Sequence, residues 1–163
     1  MNFDLSANGK PRLSRELGSS DVEFNLSHSN ELALLAVARG RELGVDVEHV
    51  REQFEFQEIA ERFFTAKEVA AMRSLPAELQ RRAFYKCWTS KEAFLKAKGT
   101  GLSGALDEVE ISLDSDEQVR ITAKVPNWWL IDLPPIEGYE AALVLANASA
   151  PIDCYQWQAG MSR

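Results

Sequence analysis

Two cysteines are all that this chain of 163 residues contains, and Cys87 and Cys154 lie far apart with no CxxC or Cys/His spacing. Neither a disulfide framework nor a zinc site is indicated. No apolar run reaches membrane-spanning length, so no membrane partner is expected. The opening residues lack a signal-peptide pattern, which makes the cytoplasm the expected compartment. Positive charge is scarce too: a net charge of −7 argues against nucleic acid as a partner. Short-period repeats and low-complexity tracts are absent. What is present is 45% apolar and 26% charged, the make-up of an ordinary globular chain of one domain or two small halves.

The charge is unevenly placed. Between Glu61 and Lys98 nine Lys and Arg face four acids, a local +5 that leaves −12 for the rest. A solvated helix face explains such a segment, and so does a dock for an anionic partner.

The first twenty residues are polar and turn-rich and read as loop. Leu32–Arg39 is a continuous apolar run suited to a buried strand. Gly40-Arg41-Glu42 turns the chain and Leu43–Val50 alternates with period two, so these two runs form the expected hairpin. From Glu55 the pattern is helical. Thr65 is placed as an N-cap with Glu68 as its capping-box partner. Pro76 interrupts, and a helix of some 22 residues is expected from about Ala77 to Lys98, capped by Gly99. Strand patterns then return at Val109–Leu113, Val119–Val125, Trp128–Leu133 and Tyr139–Ala146. Strands flanking a helical centre indicate an α+β fold with an antiparallel sheet packed against the long helix.

Several residues carry more chemistry than packing needs. Strand alternation projects Asp46 and Glu48 to one side while Val45 and Val47 enter the core. On the long helix, Phe84, Trp88 and Leu95 line a narrow stripe. Lys91 falls inside it, Glu92 lies on its border, and Lys96 sits one turn beyond. Two or three carboxylates with flanking lysines suit Mg²⁺ beside a pyrophosphate, whereas an i,i+4 pair and a snorkelling lysine are the plainer readings. Ser27, His28 and Ser29 stand before the apolar run, where they either bind phosphate oxygens or cap a turn.

Taken together, these pieces resemble the 4'-phosphopantetheinyl transferases, in particular the larger type built from two similar halves. Gly44-Val45-Asp46-Val47-Glu48 matches G-[IV]-D-[IV]-E, and Phe64-Thr65-Ala66-Lys67-Glu68 matches F-[ST]-x-x-E. Trp88 to Lys96, followed by Gly99-Thr100-Gly101-Leu102, matches W-x-x-K-E-[AS]-x-x-K-x-x-G-x-G-L. Upstream, Gly9-Lys10-Pro11 and Asn25-Leu26-Ser27-His28-Ser29 are similar to elements of the larger type.

The resemblance implies transfer of 4'-phosphopantetheine from coenzyme A to a serine of an acyl or peptidyl carrier protein, with release of 3',5'-ADP. It implies Mg²⁺ held by Asp46, Glu48 and Glu92. Glu92 would be the base, directly or through a metal-bound water, and Lys96 would share the catalytic work. Lys91 and Lys96 would pair with phosphate oxygens, and Lys10, Ser27 and His28 would complete the coenzyme A contacts. Carrier proteins are acidic as a class, which would give the +5 segment, Arg81 and Arg82 included, a partner. Larger members carry a long stretch upstream of the G-K-P element, and here only eight residues precede Gly9. The expected architecture is therefore an incomplete pseudo-dimer, with residues 1–50 a remnant of the first half and 51–163 the second. Self-association through the uncovered hairpin is expected. The alternative is a shortened homologue that binds coenzyme A or a carrier protein without turnover.

Overall fold

The structure, a computed structural model, describes residues 3–14, 21–100, 109–114, 120–123, 125–131, 133–147 and 150–157. Its order is β1 (Phe3–Leu5), β2 (Pro11–Leu13), β3 (Val22–Ser29), β4 (Leu32–Arg39), β5 (Leu43–His49), α1 (Gln57–Phe63), α2 (Ala66–Ser74), α3 (Ala77–Lys98), β6 (Ile111–Asp114), β7 (Arg120–Ala123), β8 (Trp128–Ile131) and β9 (Tyr139–Ala146). Every strand pair is antiparallel among the described residues. The α+β expectation holds.

The central sheet runs β5-β9-β8. Asp46 lies opposite Ala142 and Gly44 opposite Val144, so those two β5 residues share a face with the small residues of β9. That face meets α3 through Phe84, Phe94, Ala97, Ala142 and Val144. The opposite face, Leu43, Val45, Leu143 and Leu145, is covered by Leu34, Ala36 and Ala38 of β4.

Two expectations change. Polar residues 3–13 form the small β1–β2 hairpin. The apolar run β4 is hydrogen-bonded to β3, whereas β5 crosses to β9. Period two fixes which side chains share a face but says nothing about which strand is the neighbour.

The helices follow their local chemistry. Thr65 accepts from the Glu68 N–H at 3.2 Å while Glu68 accepts from the Thr65 N–H at 2.8 Å, a complete capping box. Helix α3 spans its expected length and ends at Gly99 with φ +68°. Gly99 N–H donates to Lys96 O and Thr100 N–H to Leu95 O, the Schellman arrangement that a left-handed glycine permits. Gly101 and Leu102, the end of the third motif, lie outside the described residues.

Candidate active site

The site begins with a missing side chain. A Cβ on Gly44 would fall 2.1 Å from Ala93 O and 2.3 Å from Ala97 N, so only glycine lets β5 lie against the α3 backbone. Two residues further on, the close approach brings Asp46 to the flank of α3 that carries Glu92 and Lys96.

Lys96 Nζ donates to Asp46 Oδ1 at 2.6 Å and to Ser27 Oγ at 2.8 Å. Ser27 Oγ also donates to Asp46 Oδ1 at 2.9 Å, and Ser29 Oγ donates to Glu48 Oε2 at 2.8 Å. The second oxygen of Asp46, Oδ2, is buried without a hydrogen-bond partner among the described residues, and so is Glu92 Oε1.

The electrostatics follow. Burial raises the Asp46 carboxyl above its ordinary value against the pull of Lys96. Burial raises Glu92 as well, and the Asp46 charge adds to it. The Glu48 charge raises both a little further.

The donor chemistry fits a hard divalent cation. Two orphaned buried carboxylate oxygens and a third carboxylate nearby are oxygen ligands whose repulsion a cation would relieve. Among the described residues no three His, Cys, Asp or Glu side chains stand as a ready-made cage. One reason is visible: Lys96 already serves Asp46 as a cation.

Three other expected residues are placed elsewhere. Lys91, meant for phosphate oxygens, is fully buried. Its Nζ lies 2.9 Å from Glu68 Oε1 and 2.9 Å from Val109 O, over the Phe64 ring. Glu68 in turn accepts from the Ile111 N–H at 2.9 Å. The second and third motifs thus meet in a buried ion pair that ties α2, α3 and the approach to β6. Lys10 is also buried, its ammonium donating to Leu43 O and Ala97 O at 3.0 Å, and burial lowers its pKa. It clasps the end of α3 to the start of β5. His28 is exposed on β3 while Ser27 and Ser29 point inward, because alternate residues of a strand face opposite ways.

The basic segment is largely spoken for. Arg81 donates to Arg51 O and Phe54 O, and Arg82 pairs with Glu140 at 2.6 Å. Lys67 pairs with Glu110, Lys91 with Glu68 and Lys96 with Asp46. Glu110, Glu140 and Asp46 lie outside the segment, so much of its surplus is neutralised within the fold. Arg81 and Arg82 also act as braces, Arg82 from an exposed position.

Beside Glu48 a cleft of about 200 Å³ opens between the end of β5 and the helices. Phe54, Ile59, Phe84 and Trp88 give it an apolar lining, with Glu48 and His49 at the strand side. Sequence reading missed it because its walls come from three separate elements.

Carboxylates and a lysine thus gather where the central sheet packs on the long helix. Residues 42–144 match the family described as the 4'-phosphopantetheinyl transferase superfamily. The chain is 40% identical over 147 residues to 4'-phosphopantetheinyl transferase HetI of Nostoc sp., covering 90% of this chain and 61% of that protein. It is 33% identical over 157 residues to 4'-phosphopantetheinyl transferase Sfp of Bacillus subtilis, covering 94% and 66%. A solved holo-(acyl-carrier-protein) synthase from Bacillus anthracis, in complex with CoA (3',5'-ADP), shares the fold with a TM-score of 0.51 at 19% identity. That likeness covers 66% of this chain and 96% of the synthase. The chain belongs to the 4'-phosphopantetheinyl transferase superfamily. It spans about 61% of the length of HetI.

Proposed function

We propose that the chain transfers 4'-phosphopantetheine from coenzyme A to a serine hydroxyl of an acyl or peptidyl carrier protein, releasing 3',5'-ADP. The observation that carries the reading is the pair of partnerless buried oxygens, Asp46 Oδ2 and Glu92 Oε1, beside the Lys96 ammonium. A pyrophosphate and a metal ion are what such a mixed site lacks. Asp46, Glu48 and Glu92 would hold Mg²⁺, which when bound supplies charge neutralisation at the pyrophosphate.

The chain's own residues do the rest. Glu92, directly or through a bound water, would take the proton of the attacking serine hydroxyl. Lys96 moves from Asp46 to a phosphate oxygen and offsets the charge that develops there. The cleft beside Glu48, with Phe54, Ile59, Phe84 and Trp88 in its wall, suits the pantetheine arm. The two-half plan, with residues 1–50 in the first half, and a cytoplasmic location belong to the same reading, as does self-association, moved from the expected Leu32–Val50 hairpin to β3–β4 because β5 pairs with β9.

Mass spectrometry of an apo carrier protein incubated with this chain, coenzyme A and Mg²⁺ tests it. The expected product gains one phosphopantetheine and 3',5'-ADP accumulates. An unmodified carrier, with coenzyme A still bound by the chain, selects instead the shortened homologue that binds without turnover.

A further inference from the structure

Strand β5 is bonded to β9 on one side only, and its other edge does not pair with β3 through backbone. It is satisfied by side chains. Asn25 Oδ1 accepts from Val45 N–H at 2.8 Å, Ser27 Oγ from Val47 N–H at 3.3 Å, and Ser29 Oγ from His49 N–H at 3.1 Å. The offset is 20 residues each time, so β3 lies alongside β5 as a polar rail. Asn25, Ser27 and Ser29 are all buried in this role.

The two serines do more than close the edge. Each takes the N–H of one β5 residue and gives its own proton to the carboxylate of the residue before it, Ser27 to Asp46 and Ser29 to Glu48. A hydroxyl has one proton and two acceptor positions. Ser27 fills all three, with Val47 N–H and Lys96 Nζ as donors and Asp46 as acceptor. Its proton has one destination, and Asp46 Oδ1 is pinned. That leaves Oδ2, the orphaned oxygen, as the one turned to the site. Ser29 pins Glu48 by the same bridge.

We infer that Ser27 and Ser29 are positioning residues, which set the rotation of the Asp46 and Glu48 carboxylates and so preorganise the candidate cation site. The inference rests on the proposed cation-binding reading. It gives Ser27 a positioning role beside the coenzyme A contact expected of it. Outer partners of ligating carboxylates typically change metal affinity by 10–100-fold.

The test is direct Mn²⁺ binding by calorimetry and electron paramagnetic resonance on the intact chain, alongside its thermal melt. Ser27→Ala and Ser29→Ala should each weaken Mn²⁺ by ~10–100-fold while the chain remains folded. Ser27→Thr and Ser29→Thr, which keep the hydroxyl, should recover most of the affinity. Wild-type affinity in folded Ser27→Ala and Ser29→Ala would overturn the inference alone. No Mn²⁺ uptake by the wild-type chain would overturn the cation reading and the inference with it. Should both alanine variants unfold and the threonine variants behave no better, the serines serve folding only, and the inference falls.

Discussion

At the residue scale the site is a balance between burial and charge. Glu92 is raised first by burial and then by Asp46, so the folded chain holds its proton more tightly than the unfolded chain does. As pH rises from the ordinary carboxylate value through the raised one, the unfolded state releases this proton first. Stability therefore falls over that window. Glu92→Gln removes the penalty. It should flatten the pH dependence and raise the metal-free melting temperature at neutral pH by ~2 °C or less, because solvent screens part of the penalty at this half-buried carboxylate. An unchanged melting curve would mean that solvent already screens the carboxylates. Lys91 poses the opposite case. Its pairing with Glu68 is fully buried on both sides, and removing one partner strands a charge. Lys91→Met should cost ~3–5 kcal/mol in urea unfolding, and Lys91→Met with Glu68→Gln less than that. A loss below about 1 kcal/mol would contradict an ion pair that holds the fold.

At the element scale, local signals were legible and partnerships were not. The Thr65–Glu68 capping box, the span of α3 and its glycine stop are set by residues within one turn of each other, and all three stand as expected. Strand β9 likewise keeps its expected bounds. The site was half legible. Asp46, Glu48, Glu92 and Lys96 come together, but Lys91 and Lys10 entered the interior. A lysine on the apolar stripe is indistinguishable by sequence from one that leaves it, unless the acid awaiting it is known. For Lys91 that acid is Glu68, on another helix. The serine rail on β5 was hidden for the same reason: its offset of 20 residues is a tertiary relation. Gly44 was visible as a motif letter, and the contact explains the letter. Gly44→Ala places a Cβ inside Ala93 O and Ala97 N, both backbone atoms that cannot turn aside. The expected cost is ~3 kcal/mol or more, with Mn²⁺ affinity lost because α3 moves Glu92 and Lys96 off Asp46. Urea unfolding and calorimetry check both halves, and a variant as stable as the wild type would show that α3 can withdraw at little cost.

At the scale of the whole molecule strand β4 of the β3–β4 hairpin is apolar on both faces. Its inner face covers the central sheet through Leu34, Ala36 and Ala38. On its outer face Leu26 lies opposite Leu35 and Phe24 opposite Val37, and Leu26, Leu35 and Val37 are all more than half exposed, the least of them at 52%. Phe3 extends the patch, its ring 5.7 Å from that of Phe24, and Leu5 is exposed in the same β1 strand. Folded monomers seldom leave that many large apolar side chains together in water. A second copy laid on this face about a two-fold axis would cover both cross-strand pairs. The chain should therefore dimerise with rising concentration in sedimentation velocity. Leu35→Lys and Val37→Lys sit outside the packed core, so each should leave the melting temperature nearly unchanged while shifting the distribution to monomer. Both lysines would face their own symmetry mates across the axis, and like charges brought together there oppose closure. Added salt should accordingly restore part of the association in these variants and little in the wild-type chain, whose contact is apolar. A wild-type chain that sediments as a monomer from about 1 to 100 µM would show the face to be solvated as it stands, and self-association would leave the reading.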